Sequence, residues 1–216
     1  MTSLKYDIKD HRVQYLISTD DSLGRLIRYL VSSELTIEED GFQCLVKYII
    51  GQQISDKARE TLWSRLLHIC VSVTPSAVLS MDSAELRGIG LSGRKVEYIK
   101  VLANSVIDST IDFGTFPTLT NAEIIAKLTA LKGIGSWTAE MYLIFSLGRE
   151  DVLSRNDGTI KRTIQWMYAL NKLPSSKEIA SYFSKWNQYA TIVSAYLWKS
   201  VALGLTQHSF DEVIPK

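Results

Sequence analysis

Two short segments hold residue types whose order suggests chemistry. The first is Leu131-Lys132-Gly133-Ile134-Gly135-Ser136-Trp137-Thr138-Ala139, set between two stretches of helical periodicity. Its two glycines let the backbone turn tightly and leave N–H groups uncovered. With the N-terminus of the helix that follows, those donors form a concave nest suited to an anion such as a phosphate. Ser136 is placed to cap that helix, and Ile134 to plug the turn into the core. The second is Asp157, in the polar run Ser154-Arg155-Asn156-Asp157-Gly158, just ahead of a helix expected near Ile160 that carries Lys161 and Arg162. Taken singly, Gly-Ile-Gly also reads as a plain helix–helix turn, and Asp157 as an N-terminal capping acid.

Helices must position both segments. Apolar residues at three- and four-residue spacing predict helices over 42–53, 94–107, 121–131, 136–147, 160–170, 176–186 and 189–202, with another opening at Ser55. Pro75 suits a first helical position, and Phe116-Pro117 begins a loop. Strand-like alternation is nearly absent and connections are short. The expectation is an all-α protein of about ten helices, well above the usual one-third helix content, without solenoid repeats.

Composition narrows the class. The 216 residues are 46% hydrophobic and 22% charged, an ordinary globular balance, and the net charge of +1 neither supports nor excludes a nucleic-acid partner. No apolar run reaches the ~18 residues of a membrane helix, and the opening segment lacks the apolar stretch of a secretory signal. Cys44 and Cys70 cannot supply a four-thiolate site, and His11, His68 and His208 show no ligand spacing. A metal-free intracellular protein is expected.

Read together, the segments resemble the helix-hairpin-helix (HhH-GPD) DNA glycosylase superfamily, in its 3-methyladenine DNA glycosylase II branch. Gly51-Gln52-Gln53-Ile54-Ser55 is similar to the family's Gln-Gln-x-Ser turn. The stretch from Ser92 through Lys95 to Tyr98 is similar to its Ser-x-x-Lys-x-x-Tyr segment. The hairpin with Trp137-Thr138-Ala139 is the strongest match, and Trp186, Tyr189 and Tyr196-Leu197-Trp198 resemble the closing segment.

The resemblance implies a role for each residue. Asp157 would be the catalytic carboxylate, stabilising an oxocarbenium-like sugar and activating water. Trp137, Trp198 and Met141 would line a base pocket, where an electron-rich ring face attracts a cationic methylated base; as bland alternatives, the tryptophans are core residues. Gln53 would fill the space left by an extruded nucleotide, or simply end a helix. Ser55, Lys132, Gly133, Ile134, Gly135, Lys95 and Lys161 would contact DNA, with Arg94 a further phosphate contact. Trp137 stands where strand-cutting relatives carry a Schiff-base lysine, so base release without lyase chemistry is implied. No cysteine follows Cys70, which excludes the iron–sulfur branch. No cofactor is implied, beyond a monovalent cation at the hairpin carbonyls.

The implied architecture is two helical subdomains flanking an active-site cleft: residues 31–150 with the hairpin, and 1–30 plus 151–216 with Asp157 at the edge. The implied function is hydrolysis of the N-glycosidic bond of 3-methyladenine or 7-methylguanine in duplex DNA during base excision repair. The partner is damaged double-stranded DNA, bound by a monomer, in the nucleoid of a bacterium or the nucleus of a eukaryote. Departures exist. The loop before Asp157, Leu153-Ser154-Arg155-Asn156, has no proline or glycine, Gln188 and Ala190 replace the family's proline and arginine, and Asp56 would repel phosphate. These leave two alternatives: a non-catalytic binder of abasic or damaged DNA, or a glycosylase for uracil or deaminated bases.

Overall fold

The computed structural model describes residues 2–215. In chain order the elements are β1 (Thr2–Asp7), α1 (His11–Thr19), α2 (Asp21–Leu30), β2 (Ser32–Ile37), α3 (Gly41–Gly51), α4 (Asp56–Ile69), α5 (Pro75–Ser80), α6 (Ser83–Gly88), α7 (Gly93–Ile107), α8 (Asn121–Thr129), α9 (Ser136–Phe145), α10 (Gly158–Met167), α11 (Ser176–Phe183), α12 (Ala190–Ala202) and α13 (Phe210–Val213). The fold is helical, as the periodicity predicts. Two expectations need correction. Residues 113–118 form a 3₁₀ turn instead of a loop, because the Asp112 carboxylate accepts from Gly114 N (2.9 Å) and holds Phe113 and Phe116 against Tyr142. A two-stranded antiparallel sheet is also present, pairing Tyr6 with Ser33 and Leu4 with Leu35.

Contacts divide the chain into two compact units, Met1–Ile37 with Gly148–Lys216, and Glu38–Leu147. In the first, α12 packs on β2. There Ser33 Oγ donates to Ala195 O (2.9 Å), and Tyr196 Oη donates to Tyr6 O (2.8 Å). Ser33, Leu35 and Ile37 alternate inward along β2, the period-2 pattern of a half-buried strand. In the second unit α3 packs against α4, α7 and α9, and α8 against α9. Leu45, Ile49, Ile99, Leu102, Ile124, Leu128, Leu143 and Ile144 are sealed from solvent there.

Most helices start under a side-chain cap. Asp40, Ser55, Ser92, Thr120 and Ser175, for example, each accept a backbone N–H at the head of α3, α4, α7, α8 and α11. Among the described helices of eight residues or more, α9 and α12 alone lack one.

Candidate functional site

The hairpin joins α8 to α9 inside the second unit. Leu131 O accepts from Ile134 N (3.2 Å), closing a turn in which Gly133 has φ +94°. That φ is left-handed, and a Cβ on Gly133 would stand 2.0 Å from Tyr98 Cγ. Glycine is therefore obligatory there: the backbone lies flat on the Tyr98 ring. Ile134 is buried and pins the turn, as its position predicts. Gly135 differs, with φ −92° and ψ 175°, ordinary extended backbone, and nothing within 4 Å of an added Cβ. Ser136 is not the helix cap. Gly135 takes the N-cap position because it is the last extended residue, Ser136 is already helical, and no side chain caps α9.

The turn between α3 and α4 is fastened to the hairpin. Gln52 Nε2 donates to Gly133 O (2.8 Å) and to Thr138 Oγ1 (3.0 Å). Gln53 is exposed with φ +58°, a left-handed conformation costing a non-glycine residue about 1–2 kcal/mol. So one glutamine braces while its neighbour projects outward from a strained turn. Ser55 accepts from Ala58 N (3.3 Å) and starts α4. Asp56 beside it pairs with Arg59 (2.9 Å), which offsets its charge. Lys95 Nζ donates to Ile50 O (2.6 Å) at the end of α3, and partial burial lowers its pKa. Lys132 is exposed and pairs with Glu97 (2.5 Å), which raises its pKa. Arg94 is exposed.

Trp137, half-buried in the first turn of α9, meets Tyr48 edge-on at 6.0 Å. Tyr48 stacks on Phe145 (5.2 Å) and carries the Arg59 guanidinium over its ring. Burial pushes the Tyr48 hydroxyl well above its ordinary pKa, so it stays neutral. The indole is thus held by an aromatic row. Met141, one turn along, is only 2% exposed, a packing position on the inward face of α9.

Asp157, Lys161 and Trp198 belong to the first unit. Asp157 is buried at the head of α10, where its Oδ1 accepts from Thr159 N (2.9 Å) and Ile160 N (2.8 Å). It is therefore a helix cap, and the two amides fix the plane of its carboxylate. Asp157 N donates to Ser154 O (3.2 Å), closing the preceding turn, and Ser154 is fully buried. Lys161 Nζ lies 3.3 Å from Ser176 Oγ, which donates to Asn156 Oδ1 (2.8 Å). Trp198 is half-buried on α12.

Sequence reasoning missed two residues. Gln52 is inseparable from Gln53 by pattern, and Tyr98 explains Gly133 only once the chain has folded. The hairpin carbonyls also serve the fold. Leu131 O, Gly133 O and Gly135 O each already accept a protein N–H, the last from Ala139 N (3.1 Å). Among the described residues no group of three or more His, Cys, Asp or Glu could hold a metal, and no helix is long and apolar enough to cross a membrane.

Residues 46–188 match the family model described as HhH-GPD superfamily base excision DNA repair protein. The chain is 29% identical over 201 residues to DNA-3-methyladenine glycosylase 1 of Schizosaccharomyces pombe, covering 88% of this chain and 86% of the relative. A crystal structure of a DNA-3-methyladenine glycosidase from Bacillus halodurans superposes with a TM-score of 0.81 at 31% identity, over 99% of this chain and 100% of the other. The S. pombe 3-methyladenine DNA glycosylase in complex with abasic DNA superposes with a TM-score of 0.82 at 28% identity, over 89% and 97%.

Proposed function

This chain belongs to the HhH-GPD superfamily of base excision DNA repair proteins, and from that premise we propose that it is a monofunctional DNA glycosylase. Its substrates are alkylated purines in duplex DNA, 3-methyladenine and 7-methylguanine. Asp157 carries this reading: its carboxylate is oriented by two amides, in a chain that matches named 3-methyladenine glycosylases over most of its length.

Removing a base first requires the nucleotide to leave the stack, at a cost of a few kcal/mol. Gln53, exposed and already strained, is the residue proposed to fill the gap; strain stored at such a site fits a working position. The Gly133–Gly135 backbone grips a phosphate, which fixes register without reading sequence. Lys132 adds charge once Glu97 yields it. Trp137 and Trp198, each half-buried, are the aromatic residues proposed to attract the positive ring of a methylated purine, each considered within its own unit. The bond from the sugar carbon to the purine nitrogen then breaks, its electron pair neutralising the base, and positive charge develops on the deoxyribose. The Asp157 carboxylate stabilises that charge and takes a proton from the water whose oxygen bonds to the carbon. The product is an abasic site, and with tryptophan at position 137 no amine is present there to form a Schiff base.

The test is release of free 3-methyladenine and 7-methylguanine from methylated duplex DNA, measured by chromatography. No release by the wild-type protein overturns the proposal; tight binding of an abasic duplex without release would instead favour a non-catalytic binder.

A further inference from the structure

We propose that Thr191 is the positioning residue for Asp157, acting through the loop between α9 and α10. The inference rests on the reading of Asp157 as the reaction's carboxylate. That loop has no proline or glycine between Arg149 and Asn156 to preset its path, so something else must hold it. Thr191 does so from three directions. Its N–H donates to Glu150 O (2.9 Å), its hydroxyl donates to Arg149 O (2.8 Å), and the same oxygen accepts from Val152 N (3.2 Å). Val152 O, 3.3 Å away, is the longer alternative acceptor for the hydroxyl.

The side chain is 1% exposed, and so is out of reach of substrate. The arrangement is reciprocal. No side chain caps α12, and the N-terminal amide of Thr191 takes its acceptor from the loop instead. Glu150 is held a second time, by Arg12, which also pairs with Asp10. Beyond this clamp the chain runs through buried Val152 and Ser154, whose carbonyl accepts from Asp157 N. A hydroxyl on α12 thus sets where α10 receives its cap. The threonine supplies by hydrogen bonding the constraint that a proline ring supplies by covalent geometry.

The test compares wild type, Thr191→Val, Thr191→Ser, Thr191→Cys and Asp157→Asn on a methylated duplex, each well below its own melting temperature. Valine keeps the shape and deletes the hydroxyl. Its expected effect is a fall in kcat of about ten- to a hundredfold, the cost of a displaced reacting group. KM and affinity for an abasic-site duplex stay within about twofold, since Thr191 is buried. Serine restores kcat to near wild type. If Thr191→Val does not fold, Thr191→Cys, with a weaker donor and acceptor, must fall between serine and wild-type behaviour on one side and inactivity on the other. A wild-type kcat in Thr191→Val or Thr191→Cys, failure of serine to rescue, or loss of DNA affinity in step with kcat overturns the positioning role. Wild-type turnover in Asp157→Asn overturns the reading beneath it as well; loss there beside full activity in Thr191→Val overturns the positioning role alone.

Discussion

The two hairpin glycines should fail differently when replaced. In Gly133→Ala the new Cβ would lie 2.0–2.4 Å from Tyr98 Cγ, Cδ1 and Cδ2, at a φ of +94°. The left-handed backbone costs about 1–2 kcal/mol, and forcing the Tyr98 ring aside adds about 1–3 kcal/mol. Together that is roughly 2–5 kcal/mol, or about 5–15 °C of melting temperature in a chain of this size. Gly135→Ala meets nothing within 4 Å at an ordinary φ. Its lower chain entropy when unfolded, worth about 0.4–1 kcal/mol, offsets alanine's weaker N-capping, so melting stays within about 2 °C. The methyl group would instead stand where the proposed phosphate docks. Loss of one hydrogen bond to a charged group, about 1.5–3 kcal/mol, predicts roughly ten- to a hundredfold weaker binding. Thermal melts and fluorescence anisotropy on an abasic-analogue duplex measure both. Should Gly135→Ala melt as early as Gly133→Ala, or bind DNA as tightly as wild type, the proposed division between structural and DNA-facing glycine is refuted.

Asparagine caps helices as well as aspartate, so Asp157→Asn should melt within about 2 °C of wild type, bind the abasic duplex normally and lose about a hundredfold or more in turnover. Asp157→Ala should lose the cap as well, about 1 kcal/mol, and a equal melting temperature for the two variants would deny the cap any weight. Tyr6 Oη is buried without a hydrogen-bond partner, so Tyr6→Phe is expected to leave stability unchanged or raise it by about 1 kcal/mol, read by thermal melts. Burial, with Glu150 nearby, pushes the Tyr6 pKa from 10.0 up to about 12; its share of stability is full below pH 10 and is lost as pH rises through 12, and that loss should vanish in Tyr6→Phe. Borohydride added during turnover should trap no covalent protein–DNA adduct, and a trapped adduct would refute the assignment of base release without lyase chemistry.

Local chemistry was legible in the sequence and distant pairing was not. Gly-Ile-Gly announces a tight turn because glycine alone tolerates φ near +94°. That Gly133 is fixed by Tyr98 is a contact across 35 positions, invisible to any window along the chain. The β1–β2 sheet escaped for the same reason: β2 is six residues long, its partner lies a helical hairpin away, and β1 buries only Tyr6. By type a serine beside a glycine is the stronger cap, so sequence points to Ser136, yet backbone conformation assigns the cap to Gly135. From sequence Asp157 reads as either a cap or a catalytic group; the structure makes it a cap, and a capping carboxylate is one whose orientation is already fixed.

The distribution of caps itself argues for where the protein meets an anion. The first amides of a helix need acceptors, and among the described residues all but two of the helices of eight residues or more take one from an Asp, Ser or Thr side chain. Two do not. At α12 the exception is explained internally, because Thr191 N reaches the carbonyl of Glu150. At α9 the N-cap is a glycine that faces no protein atom within 4 Å of where a side chain would begin, though its backbone does not require glycine. A sequence that caps its other long helices so consistently has no packing reason to leave this one with a bare glycine. The proposed phosphate would explain why nothing larger than a glycine stands at that N-cap.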